Sequence, residues 1–228
     1  MVRDLAELKA LALEGEPAGE LRIGTINTAL LSLLPDVLAA FTTTFPLAKV
    51  HIRASTSMAL YETLQRKDID LAVCLRPAFA LPKASDWHLL REEPIVLLAS
   101  AVHAGQDPHT LLQREPLIRY DRSLGGGKQA DNYLRAAKIA PRELFELNSL
   151  MPIAMMVDRG LGVSLIPDIV SPMMTHLNLV KLPLPIAIEP RRFGALFHRT
   201  SPRRRLIEGF LSCAVSIRQS HLVFYPLA

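Results

Sequence analysis

The sequence predicts an α/β protein made of two strand–helix units in tandem, and three observations point to this fold class. Short aliphatic segments alternate with amphipathic stretches over residues 21–74, and the alternation starts again over residues 117–166. A long extended segment near 90–98 separates the two series. Hydrophobic residues make up 50% of the 228 positions and aromatic residues only 6%, and an aliphatic core is typical of helices layered on a sheet.

The first series has the order β-α-β-α-β, which predicts a parallel sheet with right-handed crossovers. In its first helix an apolar stripe includes Leu34, Val37 and Phe41, as expected for a helix that packs on a sheet. The strands are predicted at 21–26, 48–54 and 69–74, and the helices at 29–44 and 58–66.

The second series repeats this alternation. We expect the segment near 191–198 to return the chain to the first unit, so that one lobe comprises 20–94 plus 193–228 and the other 95–192. The predicted strands of the series are 117–120, 144–147 and 162–166, the helices are 127–137 and 150–158, and short strands near 178–181 and 193–198 and a closing helix over about 203–218 follow.

The N-terminal segment has the pattern of a short amphipathic helix at 2–13, which a Gly/Pro-containing stretch at 15–19 interrupts. So short a helix is unstable alone in water and needs a partner, in this chain or in another. The segment has mixed charges and lacks the apolar core of a signal peptide, and no stretch approaches the roughly 20 apolar residues of a membrane span. We therefore expect a soluble protein that is not exported.

The formal net charge of +4 is too small to indicate nucleic-acid binding by itself. Two cysteines, Cys74 and Cys213, are too few for a disulfide framework and fit a reducing cytoplasm, with a redox-sensing pair as the alternative. Most of the positive excess lies near the C-terminus, where a solvated helix start or loop explains it and a DNA-contacting patch is the alternative. The arginines concerned are Arg191, Arg192, Arg203, Arg204 and Arg205.

No catalytic or metal-binding signature is apparent. The three glycines at 125–127, followed by Lys128, resemble a phosphate-binding loop, but Arg122 stands where that loop needs its first glycine. We interpret them as a flexible turn before a helix. His103 and His109 fall in one polar segment without cysteines or carboxylates that would complete a metal site. We therefore expect no enzyme activity, no metal and no cofactor.

Small polar residues follow several predicted strands, directly before a helix. Unpaired N–H groups at helix N-termini can hold an anion, and in open α/β sheets ligands bind beyond the carboxyl ends of the strands. Simple N-capping is the alternative at each position taken alone. The segments are 25–28, 55–57 and 148–149.

Several segments resemble LysR-type transcriptional regulators. Residues 16–24 resemble the junction at which the linker helix of that family meets the effector-binding domain. The order and spacing of the matching segments extend the resemblance over residues 2–218. The other segments are 33–35, 45–46, 67–73, 114–118 and, most specific, 157–167 with the sequence Val-Asp-Arg-Gly-Leu-Gly-Val-Ser-Leu-Ile-Pro.

The resemblance implies a type II periplasmic-binding-protein-like fold, in which two Rossmann-like lobes are joined by two crossover strands and hold a small effector between them. Arg76 and Arg122 would be counter-charges for an acidic ligand, unless they are ordinary surface arginines. By position, the implied effector contacts are Asn27, Thr28, Thr56, Ser57, Arg76, Tyr120, Arg122, Asn148 and Ser149.

The resemblance also implies partners. The winged helix-turn-helix of the family would precede residue 1, so we expect a shortened chain that does not bind DNA itself, and a homodimer that becomes a tetramer in the full-length protein. The helices near 30–44 and 127–137, with apolar outer positions, are candidates for a two-fold interface. Where many members have His-Pro after the crossover strand, this chain has His103-Ala104.

Two other functions remain open at this point. A solute-binding protein of a transporter shares the implied fold, but the amphipathic segment at 2–13 argues against it. An enzyme on the same scaffold would need convergent acid–base groups, whereas the predicted site contains hydroxyls, amides and arginines.

Overall fold

The computed structural model describes the backbone of residues 19–224 and the side chains of residues 19–217. The predicted linker helix at 2–13 lies outside the described residues, as does the predicted hinge apart from Gly19. The chain divides into two compact units: the first extends to Arg91 and resumes at Phe193, and the second is Glu92–Arg192. None of the helices within 19–224 is both long enough and apolar enough to cross a bilayer.

The elements alternate along the chain as the sequence predicts. The strands are β1 (Gly19–Thr25), β2 (Ala48–Ala54), β3 (Leu71–Leu75), β4 (Ser85–Glu93), β5 (Ile95–Ser100), β6 (Leu117–Tyr120), β7 (Glu143–Leu147), β8 (Ser164–Pro167), β9 (Leu179–Pro183) and β10 (Arg191–His198). The α-helices are α1 (Asn27–Leu30), α2 (Leu33–Thr44), α3 (Ser57–Gln65), α4 (Pro108–Arg114), α5 (Gly125–Ala137), α6 (Leu150–Asp158) and α7 (Arg204–Phe224), and short 3₁₀ helices occupy Ala101–His103 and Pro172–Met174.

The first unit contains a five-stranded sheet in the order β2-β1-β3-β10-β4. Strand β1 is parallel to both β2 and β3, and β10 is antiparallel to β3. Helices α2 and α7 pack together beside this sheet, with the Phe41 ring centroid 4.9 Å from Phe45 and 6.0 Å from Phe210. The core is therefore aliphatic with a small aromatic cluster between the two longest helices of the unit.

The second unit repeats this arrangement. Strand β5 lies between β8 and β9 and is antiparallel to both, while β6 is parallel to β7. A parallel bridge from Leu117 to Val163 places β6 beside the start of β8. The succession β7-β6-β8-β5-β9 thus has the same pattern as the first unit, with two parallel connections followed by an antiparallel strand.

The glycine motif at 157–167 positions β8. Gly160 and Gly162 have φ values of +71° and +146°, which residues other than glycine rarely adopt. A Cβ atom on Gly162 would lie 2.1 Å from the carbonyl oxygen of Pro116, and the N–H of Val163 donates to that same oxygen at 2.9 Å. The glycines therefore allow the chain to enter β8 directly against the start of β6.

Three details differ from the sequence-based expectations. The predicted helix at 29–44 is interrupted, because Ser32 has non-helical backbone angles and its hydroxyl donates to the carbonyl of Thr28 at 2.7 Å. Helix α4 was not predicted, although Asp107 caps it and Pro108 starts it. Arg191 lies in β10 rather than in a solvated loop, and its side chain is only 7% exposed.

Candidate functional site

In the first unit the carboxyl ends of β1, β2 and β3 meet at one edge of the sheet. The N–H of Ser55 donates to the carbonyl of Thr25 at 2.9 Å, and the N–H of Ile26 donates to the carbonyl of Val73 at 3.2 Å. The predicted contacts of this unit are therefore gathered at a single edge. They are Asn27, Thr28, Thr56, Ser57 and Arg76.

Two side-chain hydrogen bonds hold the N-terminus of α3 at this edge. The Thr56 hydroxyl oxygen accepts from the N–H of Ala59 at 3.3 Å, so the capping alternative holds for Thr56. The Ser57 hydroxyl oxygen accepts from the N–H of Leu75 at 3.2 Å and thereby joins the start of α3 to the end of β3. Asn27 is exposed beside this corner, whereas Thr28 is buried.

Arg76 follows Leu75 directly and is exposed. Among the residues that the structure describes, it forms no ion pair. Its guanidinium group is therefore a free positive charge one residue beyond the strand that Ser57 holds.

In the second unit the ends of β6 and β7 are also joined. The N–H of Asp121 donates to the carbonyl of Leu147 at 2.9 Å, and the N–H of Arg122 donates to a Glu146 carboxylate oxygen at 3.2 Å. Asn148 and Ser149 follow at the same edge, where Asn148 is exposed and the Ser149 side chain makes no capping bond to α6.

Arg122 is surrounded by carboxylates. Its guanidinium nitrogens lie 2.5 Å from Glu143, 3.7 Å from Glu146 and 3.8 Å from Asp131. The hydrogen bond and the charge of Glu143 raise the pKa of Arg122 despite some desolvation. Because its charge is already matched, the structure does not support Arg122 as a free counter-charge for an acidic ligand.

Tyr120 is buried at the end of β6 and is 5% exposed. Its ring lies against Gly126, where a Cβ atom would approach the ring to 2.4 Å. Burial raises the pKa of the Tyr120 phenol, and the charge of Arg191 together with a hydrogen bond from it opposes that shift. Tyr120 therefore packs beneath the strand ends and interacts with Arg191, and it is not exposed for direct contact with an effector.

The three glycines at 125–127 are not a flexible turn, because all three belong to the first turn of α5. A Cβ atom on Gly127 would lie 2.0 Å from the carbonyl oxygen of Asp121. The glycines thus allow the helix to start in close contact with the end of β6, and this packing explains the sequence without a phosphate.

An open depression of about 510 Å³ lies at the strand ends of the second unit. It is lined by Asp121, Glu146, Leu147 and Asn148. Only Asn148 was predicted from the sequence. The two carboxylates could have been found from their positions, since Asp121 directly follows β6 and Glu146 is the second-last residue of β7.

Candidate metal ligands and cysteines also lie in the described part of the chain. No group of three or more His, Cys, Asp or Glu side chains within it could hold a metal ion. Burial raises the pKa of the Cys74 thiol to about 12, so this cysteine is not a reactive thiolate.

The comparison with known protein families matches residues 14–216 to the LysR substrate binding domain. The chain belongs to this family. The resemblance noted in the sequence is thus confirmed, and so is the α/β, type II periplasmic-binding-protein-like fold. The family and the curated relatives are transcriptional regulators rather than enzymes.

Two curated relatives illustrate the sequence similarity. The uncharacterized HTH-type transcriptional regulator YusT of Bacillus subtilis is 26% identical over 194 residues, which cover 85% of this chain and 64% of YusT. CzcR of Bacillus cereus is 25% identical over 170 residues, which cover 74% of this chain and 56% of CzcR. The chain therefore spans less than two thirds of the length of either regulator.

Two solved structures share the fold of this LysR substrate binding domain. A mutant of OxyR from Corynebacterium glutamicum superposes with a TM-score of 0.75 at 21% identity, covering 98% of this chain and 71% of OxyR. The effector binding domain of QuiR in complex with shikimate superposes with a TM-score of 0.71 at 16% identity, covering 90% and 99% of the two chains. At these identities the likeness describes the fold and not the ligand.

Proposed function

We propose that this domain is the effector sensor of a LysR-type regulator and that its effector is a small organic acid. The observation that carries the proposal is Arg76, an exposed guanidinium without an ion pair in the described residues, at the edge where α3 begins. A carboxylate there would receive hydrogen bonds from Arg76 and from the unpaired N–H groups of the helix start. Asn27 and Ser57 supply further polar groups at this edge.

The polar groups of the second unit suit hydrogen-bond donors of a ligand rather than its carboxylate. Its depression contains two carboxylates and the Asn148 amide, which accept hydrogen bonds from hydroxyl or ammonium groups. A hydroxylated or amino-substituted acid carries groups that match either set. The QuiR domain, which shares this fold, was solved with shikimate, a hydroxylated carboxylate, and shikimate is therefore a suitable first probe of this class. That one molecule contacts both units stays a prediction.

In the whole protein, we propose, effector binding changes how a separate N-terminal domain binds DNA in the cytoplasm. A ligand can produce such a change only by binding two arrangements of the protein with different affinities.

We further propose that the domain pairs with a second copy, as the basis of a tetramer in the whole protein. The expected apolar outer face of α5 is not present, because Lys128, Asn132 and Arg135 are exposed there. The outer strands β2 and β7 offer apolar side chains instead, since Ile52 of β2 and Leu144 of β7 are 44% and 53% exposed. These edges are the better candidates for contacts between copies.

The ligand proposal can be tested by thermal shift with shikimate and benzoate, using benzamide and benzyl alcohol as neutral controls. We expect an acid to raise the Tm and the neutral analogues to have no effect. Arg76→Ala should weaken binding of the acid by at least about tenfold, whereas Arg205→Ala, an exposed arginine on α7, should not.

Equal binding by both variants would remove Arg76 from the site. Asn148→Ala tests the second unit in the same assay, because a loss of affinity in both Arg76→Ala and Asn148→Ala is expected only if one ligand contacts both units. Chemical conversion of the acid during incubation would instead favour an enzyme.

A further inference from the structure

The chain passes between the two units twice, through β4 and through β10. Glu93 ends β4 and Arg191 begins β10, so each lies at the second-unit end of a connecting strand. The Arg191 Nε donates to a Glu93 carboxylate oxygen, and the Glu93 side chain is fully buried. A buried ion pair thus joins the two connections to each other.

Helix α5 holds the same two segments. The Gln129 side-chain amide donates to the carbonyl of Glu93 at 3.4 Å and to the carbonyl of Glu189 at 3.1 Å. Gln129 is itself 6% exposed, so these bonds lie in the interior of the second unit. The first turn of α5 in turn packs on the ring of Tyr120, whose hydroxyl interacts with Arg191.

A buried ion pair such as this one adds little to the free energy of unfolding, so stability alone does not explain its presence. Well-packed apolar residues of similar size are often as stabilising, whereas removal of one partner leaves an uncompensated buried charge. A fully hydrogen-bonded pair does fix geometry, since its members cannot separate without exposing both charges to an apolar interior. Glu93 and Arg191 must therefore move together.

We propose that Glu93 and Arg191 are positioning residues that relay a displacement of Tyr120 to both connecting strands. The relay rests on the proposed function, because it supposes that the effector acts at the carboxyl end of β6, above Tyr120. An effector there need not touch either connection. It has only to shift the Tyr120 hydroxyl, and the ion pair carries the shift into β4 and β10 together.

Two residues away, on the first-unit side of the boundary, the connecting strands are held by different contacts. Arg91 donates to the Ser32 hydroxyl at 2.8 Å and lies 4.8 Å from the ring centroid of Phe193. Arg91 and Phe193 belong to β4 and β10 respectively, so both strands are held here as well. The connections are thus held on both sides of the boundary between the units, and the relay acts on the second-unit contacts only.

Hydrogen exchange of the ligand-free domain tests the relay, with Tyr120→Phe and Tyr133→Phe compared with the parent chain. Both tyrosines are buried in the second unit, and Tyr133 bonds to His109 at 2.6 Å and to the backbone of Ile186 instead of to Arg191. We expect Tyr120→Phe to speed exchange at 90–96 and 188–194 by about threefold or more, and Tyr133→Phe to leave 90–96 unchanged. Equal effects of the two variants, or none from Tyr120→Phe, would overturn the proposal.

A second measurement keeps the test decisive if a variant folds poorly. Trp87 is the one tryptophan of the chain and lies in β4, so its fluorescence reports on a connecting strand. Arg191→Lys retains the charge but loses the hydrogen-bonding geometry of the guanidinium, and it should shift the Trp87 emission in the direction that Tyr120→Phe does. Lys181→Arg, at a half-buried ion pair away from the connections, is the control.

These measurements contain no ligand and are independent of the Arg76 assay. Altered exchange without any acid that binds would leave the relay in place and refute the proposed effector. Binding of an acid together with unaltered exchange would support the proposed effector and refute the relay.

Discussion

The two units share a strand order but differ in the chemistry of their strand ends. In the first unit the edge carries hydroxyls, an exposed amide and Arg76, which has no ion pair within the described residues. In the second unit the equivalent edge carries Asp121 and Glu146, and the exposed arginine, Arg122, is held by carboxylates. The fold determines where polar groups are gathered, and the residues at each edge determine the charge that they present.

The interiors of the units differ in the same way. The first unit fixes the start of β3 with a single ion pair, in which Arg22 donates to Asp70 at 2.8 Å. In the second unit Arg119 is buried between Asp131 and Glu143, each at 2.6 Å, and both acids also approach Arg122. We therefore expect the stability of the second unit to depend more strongly on charge, and that of the first on apolar packing.

The largest expected effect concerns the reactivity of the cysteines, both of which lie in the first unit. Burial raises the pKa of Cys74 from 9.0 to about 12, so the thiolate fraction falls about a thousandfold. In a Cys213→Ser variant, labelling with a disulfide reagent at pH 8 should be slower by at least this factor in the native protein than in urea. Fast native labelling would show that the first unit opens, and would restore the redox-sensing alternative.

Replacing one glycine in each unit by alanine should show in which unit the backbone around the glycine is packed more rigidly. Alanine at Gly127 would place its Cβ 2.0 Å from the backbone carbonyl of Asp121, which cannot move without displacing β6. Alanine at Gly24 would instead meet the mobile ends of Ile69 and Leu60 at 2.5 and 2.6 Å. We expect Gly127→Ala to lower the free energy of unfolding by about 3 kcal/mol and Gly24→Ala by about 1 kcal/mol.

Urea unfolding measures both variants, and Lys128→Ala on the exposed side of α5 is a control for changes in helix propensity. A larger loss in Gly24→Ala than in Gly127→Ala would contradict the assigned contacts.

Acid should destabilise the second unit through Glu143. Burial pushes the pKa of Glu143 up, but hydrogen bonds and charges from Arg119 and Arg122 bring it below its ordinary value of 4.5. Since the folded-state pKa is the lower one, the stabilisation is complete above 4.5 and is lost as the pH falls through the folded-state pKa. The Glu143 side chain is 35% exposed, and screening by solvent limits the effect to about 1 kcal/mol.

Glu143→Gln should therefore be less stable than the parent at pH 7, and the difference should shrink on acidification, as followed by urea unfolding at each pH. Glu62→Gln, on an exposed position of α3, is the control for removing a carboxylate. If the difference in the free energy of unfolding stayed constant from pH 7 to strongly acidic conditions, the interaction of Glu143 with the arginines would not stabilise the fold.

Much of the fold could be predicted because hydrophobic periodicity is local. The strands β2 and β6 and the helix α6 begin and end where the alternation of apolar residues predicts. The break at Ser32 could not be predicted, because it depends on a hydroxyl that bonds to its own chain in a non-helical conformation. The 3.6-residue apolar period continues across this break, and so gave no signal of it.

The site was less predictable because partners from distant sequence decide what a charge can do. Arg76 and Arg122 look alike in the sequence, yet only Arg122 meets Glu143 and Glu146 across a strand pair. Glu93 and Arg191 are 98 residues apart, and nothing local to either position indicates that they are paired in the interior.

The smallest expected effect concerns the two helix starts at the strand ends. Thr56 caps α3 through the N–H of Ala59, whereas Ser149 makes no side-chain cap on α6. Thr56→Ala should thus lower the free energy of unfolding by about 0.5 kcal/mol, and Ser149→Ala by less than that, since only the first substitution removes a bond to the helix. Thr56→Ser should restore the parent value. Equal losses in the two alanine variants would mean that Ser149 caps α6 in solution, and the two edges would then differ in charge alone.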